Sequence, residues 1–579
     1  MSHLNITDVV PPPEWAMLER LLLESQTDAI AQFHEKYFDD KGYLLCVPRW
    51  GGNDGPDDAA ENMLNWTILY ALGGDASVLD RYRICWEGHL QQYTRAKTVE
   101  VEMARDGMYY KEFPVMFDWF HHGEWLSAFI LEGLADPGDR AYLERSRRFA
   151  GLYMGEDPQA KNYDPEHRII RSLFNGSRGP LLRKATALDW AGDPIEVKGR
   201  FRPGHGEADF AQMLDHFKDY NDVVGDHPLN LGATTLGFNA YALTGEQKYR
   251  EWMLEYIDAW GERTEANDGL IPSNIGLDGT IGGEADGKWY GGCYGWGFSV
   301  INPANGQWSH RPACLSRTHY SFANAFTMTG DTAYLDVWRN ILDIVNGNSK
   351  EVDGQTQYPR GYGDDGWYEY QPTPFSTGAF ETYYWSQDPA DRERAGENEW
   401  QDFLDGKSPE YAVNALHADL DRLRNTMDML ASDLSTPATR MSDDMNRINP
   451  ATTDALIRLM TGGIPTGRDG YPFHCRLRYF DPANQRAGIP QGVAALVTGM
   501  DADSVTVELI NLNQVIYRTV VVQGGAYGEH QIQSVSSGNR QVEVDGQTFS
   551  VRLAPSAGAS IQVKMERYRN PPTLAFPWD

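Results

Sequence analysis

Positive charge is scarce in this chain of 579 residues: 51 Lys and Arg stand against 82 Asp and Glu, a formal net charge of −31. A ligand held through its phosphates needs lysine and arginine in excess, so nucleic acid is excluded as a main partner and an anionic membrane surface is disfavoured. Cysteine is sparse as well. Cys46, Cys85, Cys293, Cys314 and Cys475 are scattered, odd in number and without CxxC spacing, which argues against a disulfide framework and a cysteine zinc site and fits a reducing compartment. No run is apolar for long enough to span a bilayer. The opening MSHLNITDVVPPPEW has neither the basic nor the apolar region of a signal peptide, so the expectation is a cytoplasmic protein with no membrane partner. Nucleotide and serine-hydrolase signatures are also missing. No GxGxxG follows a plausible strand, no glycine run ends in GKS or GKT, and there is no GxSxG elbow. No cofactor is expected.

What the chain does have is a repeated unit. Gly225–Trp260 reads GDHPLNLGATTLGFNAYALTGEQKYREWMLEYIDAW. Pro228 to Leu243 is small, apolar and uncharged, which suits a helix buried on nearly all sides. Glu246 to Trp260 is amphipathic, with Tyr249, Trp252, Met253, Tyr256 and Trp260 at helical spacing. Thr244-Gly245-Glu246 separates them, with a glycine to close the first helix. The same pattern recurs in Asp57–Gly74 with Ala76–Arg95, in Asp118–Gly138 with Arg140–Met154, and in Arg317–Gly330 with Thr332–Val345. Unequal spacing between copies implies hairpins whose connecting loops differ in length, as in solenoids and closed helical toroids. Pro11–Pro13 opens a further helix to about Tyr37, and Pro409–Leu434 with Asn449–Thr461 supplies the last hairpin.

From about Phe473 the period changes to two. VAALVTGM, SVTVELINLN, VIYRTVVVQGG, HQIQSVSSG, RQVEVDGQTFSVRLAP and SIQVKMERY alternate apolar and polar residues between turn signals such as Asp545-Gly546, as an antiparallel β-sandwich requires. The expected division is a helical catalytic domain over 1–465 and a β-sandwich over 470–579. Tyr527, Glu529 and His530 lie in a glycine-rich loop of that second domain, and docking against the helices is the expected use of them.

Candidate chemistry gathers at the loops before the buried helices. Trp50, Asn53 and Asp57 belong to the first, CVPRWGGNDGPDD, and read as substrate contacts. Asp118, His121, His122 and Glu124 fall within two turns of one helix start, where i, i+3 and i+4 share a face. His122 and Glu124 are read as catalytic, Asp118 and His121 as binding residues. HHxE lacks the two-histidine i, i+4 spacing that grips zinc on one helix, so no metal is expected. Asp226 and His227 precede the uncharged helix, and Asp226 reads either as an N-cap or as a catalytic acid. His319 and Tyr320 open another helix. Asp365, Tyr362 and Trp367 come from RGYGDDGWYEYQP, while Trp296 and Arg311 belong to a glycine- and aromatic-rich connection. Lys161–Arg202 carries nine basic residues against five acids; it reads either as a wall recognising a substrate carboxylate or as a loop docked on the protein's own acidic surface.

Helical hairpins followed by a β-sandwich resemble the six-hairpin (α/α)6-toroid glycosidase group and the polysaccharide lyases that share its architecture. The resemblance covers nearly the whole chain and rests on texture and order. It implies an enzyme acting on an oligosaccharide in a cleft formed by the hairpin loops, with Asp/Glu pairs in a hydrolase or His, Tyr and Arg in a lyase. The first expectation is an exo-acting glycoside hydrolase on a uronic-acid-containing, anionic oligosaccharide, with Asp226, Glu124 and Asp365 as carboxylates and His122 and His227 in support. The second is a uronate lyase using Arg311, His319 and Tyr320. The third is a non-catalytic glycan-binding protein. Self-association is left open.

Overall fold

The computed structural model describes residues 1–46, 55–95, 107–114, 119–185, 223–290, 299–301, 308–310 and 318–579. It is helix-rich up to about residue 461 and mostly β-strand from residue 477 onward.

The hairpins form where the period and the glycine stops put them. Pro228–Ala233 is a 3-10 turn that runs into the helix Thr234–Thr244; Gly245 then adopts a left-handed φ of 70°, and Gln247–Ala266 returns alongside. Thr234 to Ala242 is buried without a break, as a helix with no polar face must be. Its partner buries Tyr249, Trp252, Met253, Tyr256, Ile257 and Trp260, each large side chain contributing about 1.5–3 kcal/mol of transfer free energy. Equivalent pairs are Trp66–Leu72 with Ala76–Arg95, Trp119–Ile130 with Arg140–Tyr153, and Thr318–Thr329 with Ala333–Gly347. The helix Glu14–Tyr37 packs on Tyr411–Ser432, so the first helix meets one of the last. No helix among the described residues is long and apolar enough to cross a membrane.

Two connections read as irregular loops carry strands. Ser299–Ile301, Trp308–His310, Gly361–Gly363 and Gly366–Tyr368 form a four-stranded antiparallel sheet, in which Tyr362 pairs with His310 across the two loops. Strands of three residues are too short for alternation to reveal them.

The C-terminal strands make two five-stranded sheets. One runs Ser2–Ile6, Thr548–Leu553, Arg518–Gly524, Leu477–Asp481, Arg486–Ala487; the other runs Val493–Met500, Ser504–Asn511, Gly558–Glu566, Gln531–Ser537, Arg540–Gly546. RQVEVDGQTFSVRLAP is therefore not a hairpin around Asp545-Gly546. It breaks there, with Asp545 at φ 47°, and its two halves join different sheets. The N-terminal residues add an edge strand by parallel pairing of Ser2 to Ile6 with Phe549 to Leu553. At the other end Leu574 is buried and donates its N–H to Ala242 O at 2.7 Å. Both termini thus stitch helices to strands.

Candidate functional site

Two short helix starts meet. Asp57 lies in the first turn of Pro56–Glu61, and His121 and Glu124 lie one turn apart in Trp119–Ile130. One ligating atom from each of these three side chains falls within 4.8 Å of the other two. Asp57 is 2 % exposed and Glu124 6 % exposed. Glu61, at the end of the same short helix as Asp57, accepts from Arg468 Nη1 at 3.1 and 3.3 Å and from Asn446 Nδ2 at 2.6 Å. Arg468 Nε stands 3.7 Å from Glu124 Oε1, so one guanidinium spans both helices.

The electrostatics follow from crowding. Burial pushes the Asp57 carboxyl well up; His121 pulls it down and Glu124 pushes it up again. Burial does the same to Glu61, with Glu124 raising it and Arg468 lowering it. Asp58 is raised by burial and then by Asp57, Asp443, Glu124 and Glu61. Carboxyls this close cannot all ionise at the ordinary cost.

The segment that carries Arg468 also fixes the geometry. Gly470 donates its N–H to Ser127 Oγ at 2.6 Å, and a Cβ on Gly470 would sit 2.8 Å from Gly123 Cα. That close approach permits glycine alone, and it pins the helix start bearing His121 and Glu124. Next to it, Tyr471 stacks on Tyr320 with ring centroids 3.6 Å apart.

The structure divides the expected residues. The two adjacent histidines diverge, as residues about 100° apart on a helix must. His121 turns to Asp57 and Glu124, whereas His122 is 1 % exposed with its ring 5.0 Å from both Phe113 and Trp119. The sequence expectation is that His122 is catalytic and His121 binds substrate; His121 is the one beside Asp57 and Glu124, and His122 packs against aromatic rings. Asp226 is fully buried, and its oxygens accept from Tyr256 OH at 2.9 and 3.0 Å, Asn230 Nδ2 at 2.9 Å, Ile170 N at 3.0 Å and His227 N at 2.9 Å. Burial pushes this carboxyl up to about 6, opposed by Asn230, Arg263, Ile170 and Tyr256. His227 is 1 % exposed, with Nδ1 2.9 Å from Ser273 O.

His319 sits among Tyr320, Trp338, Trp385 and Tyr471, and burial, with His474, drives it down to about 3. Tyr320 is buried, which raises its hydroxyl well above the usual range. Asp365 lies at the exposed tip of the hairpin Gly361–Tyr368. Below it Tyr362 contacts Trp289, Tyr290 and Trp367 at 5.0–5.4 Å. Trp50, Asn53, Asp118, Trp296 and Arg311 lie outside the described residues. So do Lys198, Arg200 and Arg202 of the basic stretch, whose Arg168 is taken up by Glu262.

Sequence reasoning missed Glu61, which looked like one more helical acid, and Arg468. The latter stands in a glycine-rich stretch read as a boundary between domains, and nothing local marks it as belonging to a site 407 positions away.

No curated protein matches the chain. Several solved structures align with the chain over much of its length. Cellobiose 2-epimerase from Bacillus thermoamylovorans B4167 is 9 % identical and aligns over 66 % of this chain and 85 % of its own, with a TM-score of 0.38. The GH76A α-1,6-mannanase of Salegentibacter sp. HEL1_6 is 13 % identical over 74 % of this chain and 99 % of its own, TM-score 0.30. A GH127 β-L-arabinofuranosidase from Geobacillus stearothermophilus T6 is 10 % identical over 96 % and 81 %, TM-score 0.30. Likeness this remote transfers no activity. The family described as a domain of unknown function, DUF8034, has a model that matches residues 5–360, and the chain belongs to that family.

Proposed function

We propose that the protein is a glycan-active enzyme, a glycoside hydrolase built as an (α/α) toroid over about 1–465 with a β-sandwich over 470–579, and that its chemistry resides in the carboxyl cluster of Asp57, Glu61 and Glu124. The observation that carries the reading is the convergence of Asp57, His121 and Glu124 within 4.8 Å, beside Glu61 and Arg468. Hydrolysis of a glycosidic bond needs one group to protonate the leaving oxygen and another to attack or to activate water. Those groups stand about 5–5.5 Å apart in retaining enzymes and about 6.5–9.5 Å apart in inverting ones. One oxygen of Asp57 and one of Glu124 lie within 4.8 Å of each other, well short of the separation that leaves room for water between an inverting pair. We assign them, with His121, to one unit that activates water, and we assign the proton to Glu61, the remaining carboxyl of the set.

The acidic cluster repels a carboxylate at the point of cleavage. A uronate therefore belongs at a neighbouring sugar, against Arg468 or the basic stretch Lys161–Arg202. The lyase alternative is weakened by the surroundings of His319 and Tyr320: the imidazole is poorly basic and the phenol is stacked on Tyr471. Asp226, whose acceptors are already filled, and the exposed Asp365 are not retained as acids in this proposal.

The test is turnover of neutral and uronate-containing oligosaccharides by wild-type protein and by Asp57→Asn, Glu61→Gln and Glu124→Gln, with products weighed by mass spectrometry. Hydrolysis adds water to the products, and each substitution is expected to cost roughly 100- to 10,000-fold in rate. Unsaturated products would establish elimination instead, and glycan binding without turnover would establish a lectin-like role.

A further inference from the structure

We infer that Asp57, His121 and Glu124 form a binding site for one divalent transition-metal ion, zinc or manganese. Spacing along the sequence argues against a metal gripped by one helix, and the three-dimensional arrangement removes the objection by taking the third ligand from a second helix. His121 and Glu124 are i and i+3 on Trp119–Ile130 and so share a face; Asp57 approaches from the first turn of Pro56–Glu61. With metal–ligand bonds of about 2.0–2.2 Å, two ligating atoms of one ion lie no more than about 4.4 Å apart. Three ligating atoms around one ion at that bond length lie about 3.3–3.6 Å from one another, so the three side chains, within 4.8 Å of each other, would draw together by up to about 1.5 Å on binding.

A second observation points the same way. Asp57 is 2 % exposed, and its Oδ1 has no hydrogen-bond donor among the described residues. An unmatched buried carboxylate oxygen costs free energy and requires a cause, and a cation shared with His121 and Glu124 supplies one. The charge balance agrees. Asp57, Asp58, Glu61 and Glu124 crowd together, and among the described residues the Lys or Arg paired with them is Arg468, whose side chain is 58 % exposed. One imidazole nitrogen with two carboxylate oxygens suits zinc or manganese better than calcium or magnesium, which take oxygen ligands almost exclusively.

Three protein ligands leave a coordination position for water, which a bound divalent ion acidifies. That catalytic use rests on the hydrolase reading above. Binding itself does not, and the two fail separately. The support is rigid as well: Gly470 packs on Gly123, so the His121–Glu124 turn is held in place whether or not an ion is present.

The experiment uses the full chain, stripped with a chelator and titrated with zinc and, separately, manganese by calorimetry, with electron paramagnetic resonance to follow free manganese. The expected result is one ion per chain, with affinity reduced at least about 100-fold in Asp57→Asn and in His121→Gln. Absence of binding at millimolar metal overturns the inference. So does unchanged binding in both variants when their circular dichroism is native. His121 is half-buried, so His121→Gln carries the test if Asp57→Asn does not fold. Metal binding with the expected ligand dependence in a protein that cleaves no glycan sinks the hydrolase reading and leaves the site standing. Turnover by a protein that binds no metal does the reverse.

Discussion

Asp226 and Asp57 are both acids beside the first turn of a buried helix, and both are closed off from solvent, at 0 % and 2 % exposure. Their surroundings are opposite. Asp226 collects a phenol, an amide and two backbone N–H groups, and through them it ties together Ile169–Ile170, the turn before Thr234 and the helix Gln247–Ala266. Asp57 has an oxygen with no donor among the described residues and three more carboxyls close by, Asp58, Glu61 and Glu124. A carboxylate whose lone pairs are filled by fixed donors is part of the framework, because any change in its proton content breaks several bonds at once. One left under-satisfied beside its like charges is held there by the rest of the fold, and that is the condition in which a group binds a cation or moves a proton. Burial and position before a helix do not distinguish the two; donor count does.

The contrast is broken most directly by removing each acid. Asp226→Ala leaves the four donors around it unmatched and is expected to cost about 3–5 kcal/mol in a denaturant titration, while any remaining folded protein keeps its turnover. Asp57→Asn relieves like-charge repulsion and is expected to leave stability unchanged or slightly higher while activity collapses. If Asp57→Asn proves the more destabilising of the two, Asp57 belongs to the framework and the contrast is wrong.

Arg468→Met sharpens the same comparison at a smaller scale. Its side chain is more than half exposed, so the ion pairs it makes with Glu61 and Glu124 are screened and worth less than about 1 kcal/mol to the fold. As the cation that spans both helix starts it is expected to matter more to the reaction, with kcat/KM falling roughly 10- to 100-fold. A loss of stability with unchanged kinetics would assign it to the docking of the segment that carries Gly470 and Tyr471 instead.

The helical part was legible because its determinants are local. The uncharged half-hairpin, the Gly245 stop and the amphipathic return are all read within one stretch of chain, and Gln247–Ala266 begins within one residue of where the stop puts it. The strands were legible for the same reason, through alternation, but their pairing was not: the parallel addition of Ser2–Ile6 to Thr548–Leu553 depends on which edge the fold leaves open. In the candidate site, Asp57, His121 and Glu124 could be named from their place before buried helices, but which of His121 and His122 turns inward depends on how Phe113 and Trp119 pack. Arg468 could not be found, since the contact that gives it meaning joins it to Glu61 across most of the chain. Glu529 and His530, expected to dock rather than react, are 1 % exposed each; beside them the Tyr527 ring lies 5.0 Å from Phe238 of the buried helix Thr234–Thr244.

A third buried acid gives the finest version of the comparison. Glu19, on the helix Glu14–Tyr37, is 1 % exposed; its Oε1 accepts from Ala495 N at 3.2 Å and its Oε2 has no partner among the described residues. It lacks the donors of Asp226, and no histidine or second carboxyl completes a ligand set with it among the described residues. Burial pushes it from the ordinary 4.5 up to about 8, with the Ala495 N–H and Arg20 pulling the other way. Between those two values the folded chain holds a proton that the unfolded chain has released, so stability must fall as pH rises through the window. The contribution is fully present below about 4.5 and fully lost above about 8. Glu19→Gln keeps the shape and removes the titration. Comparing wild type with the variant between pH 6 and 7, the wild type should lose on the order of 1 kcal/mol more per pH unit, and the variant should be the more stable at pH 8. Equal slopes would mean that Glu19 is ionised in the folded protein, with an unseen donor or cation at Oε2, and it would then belong with the framework acids alongside Asp226.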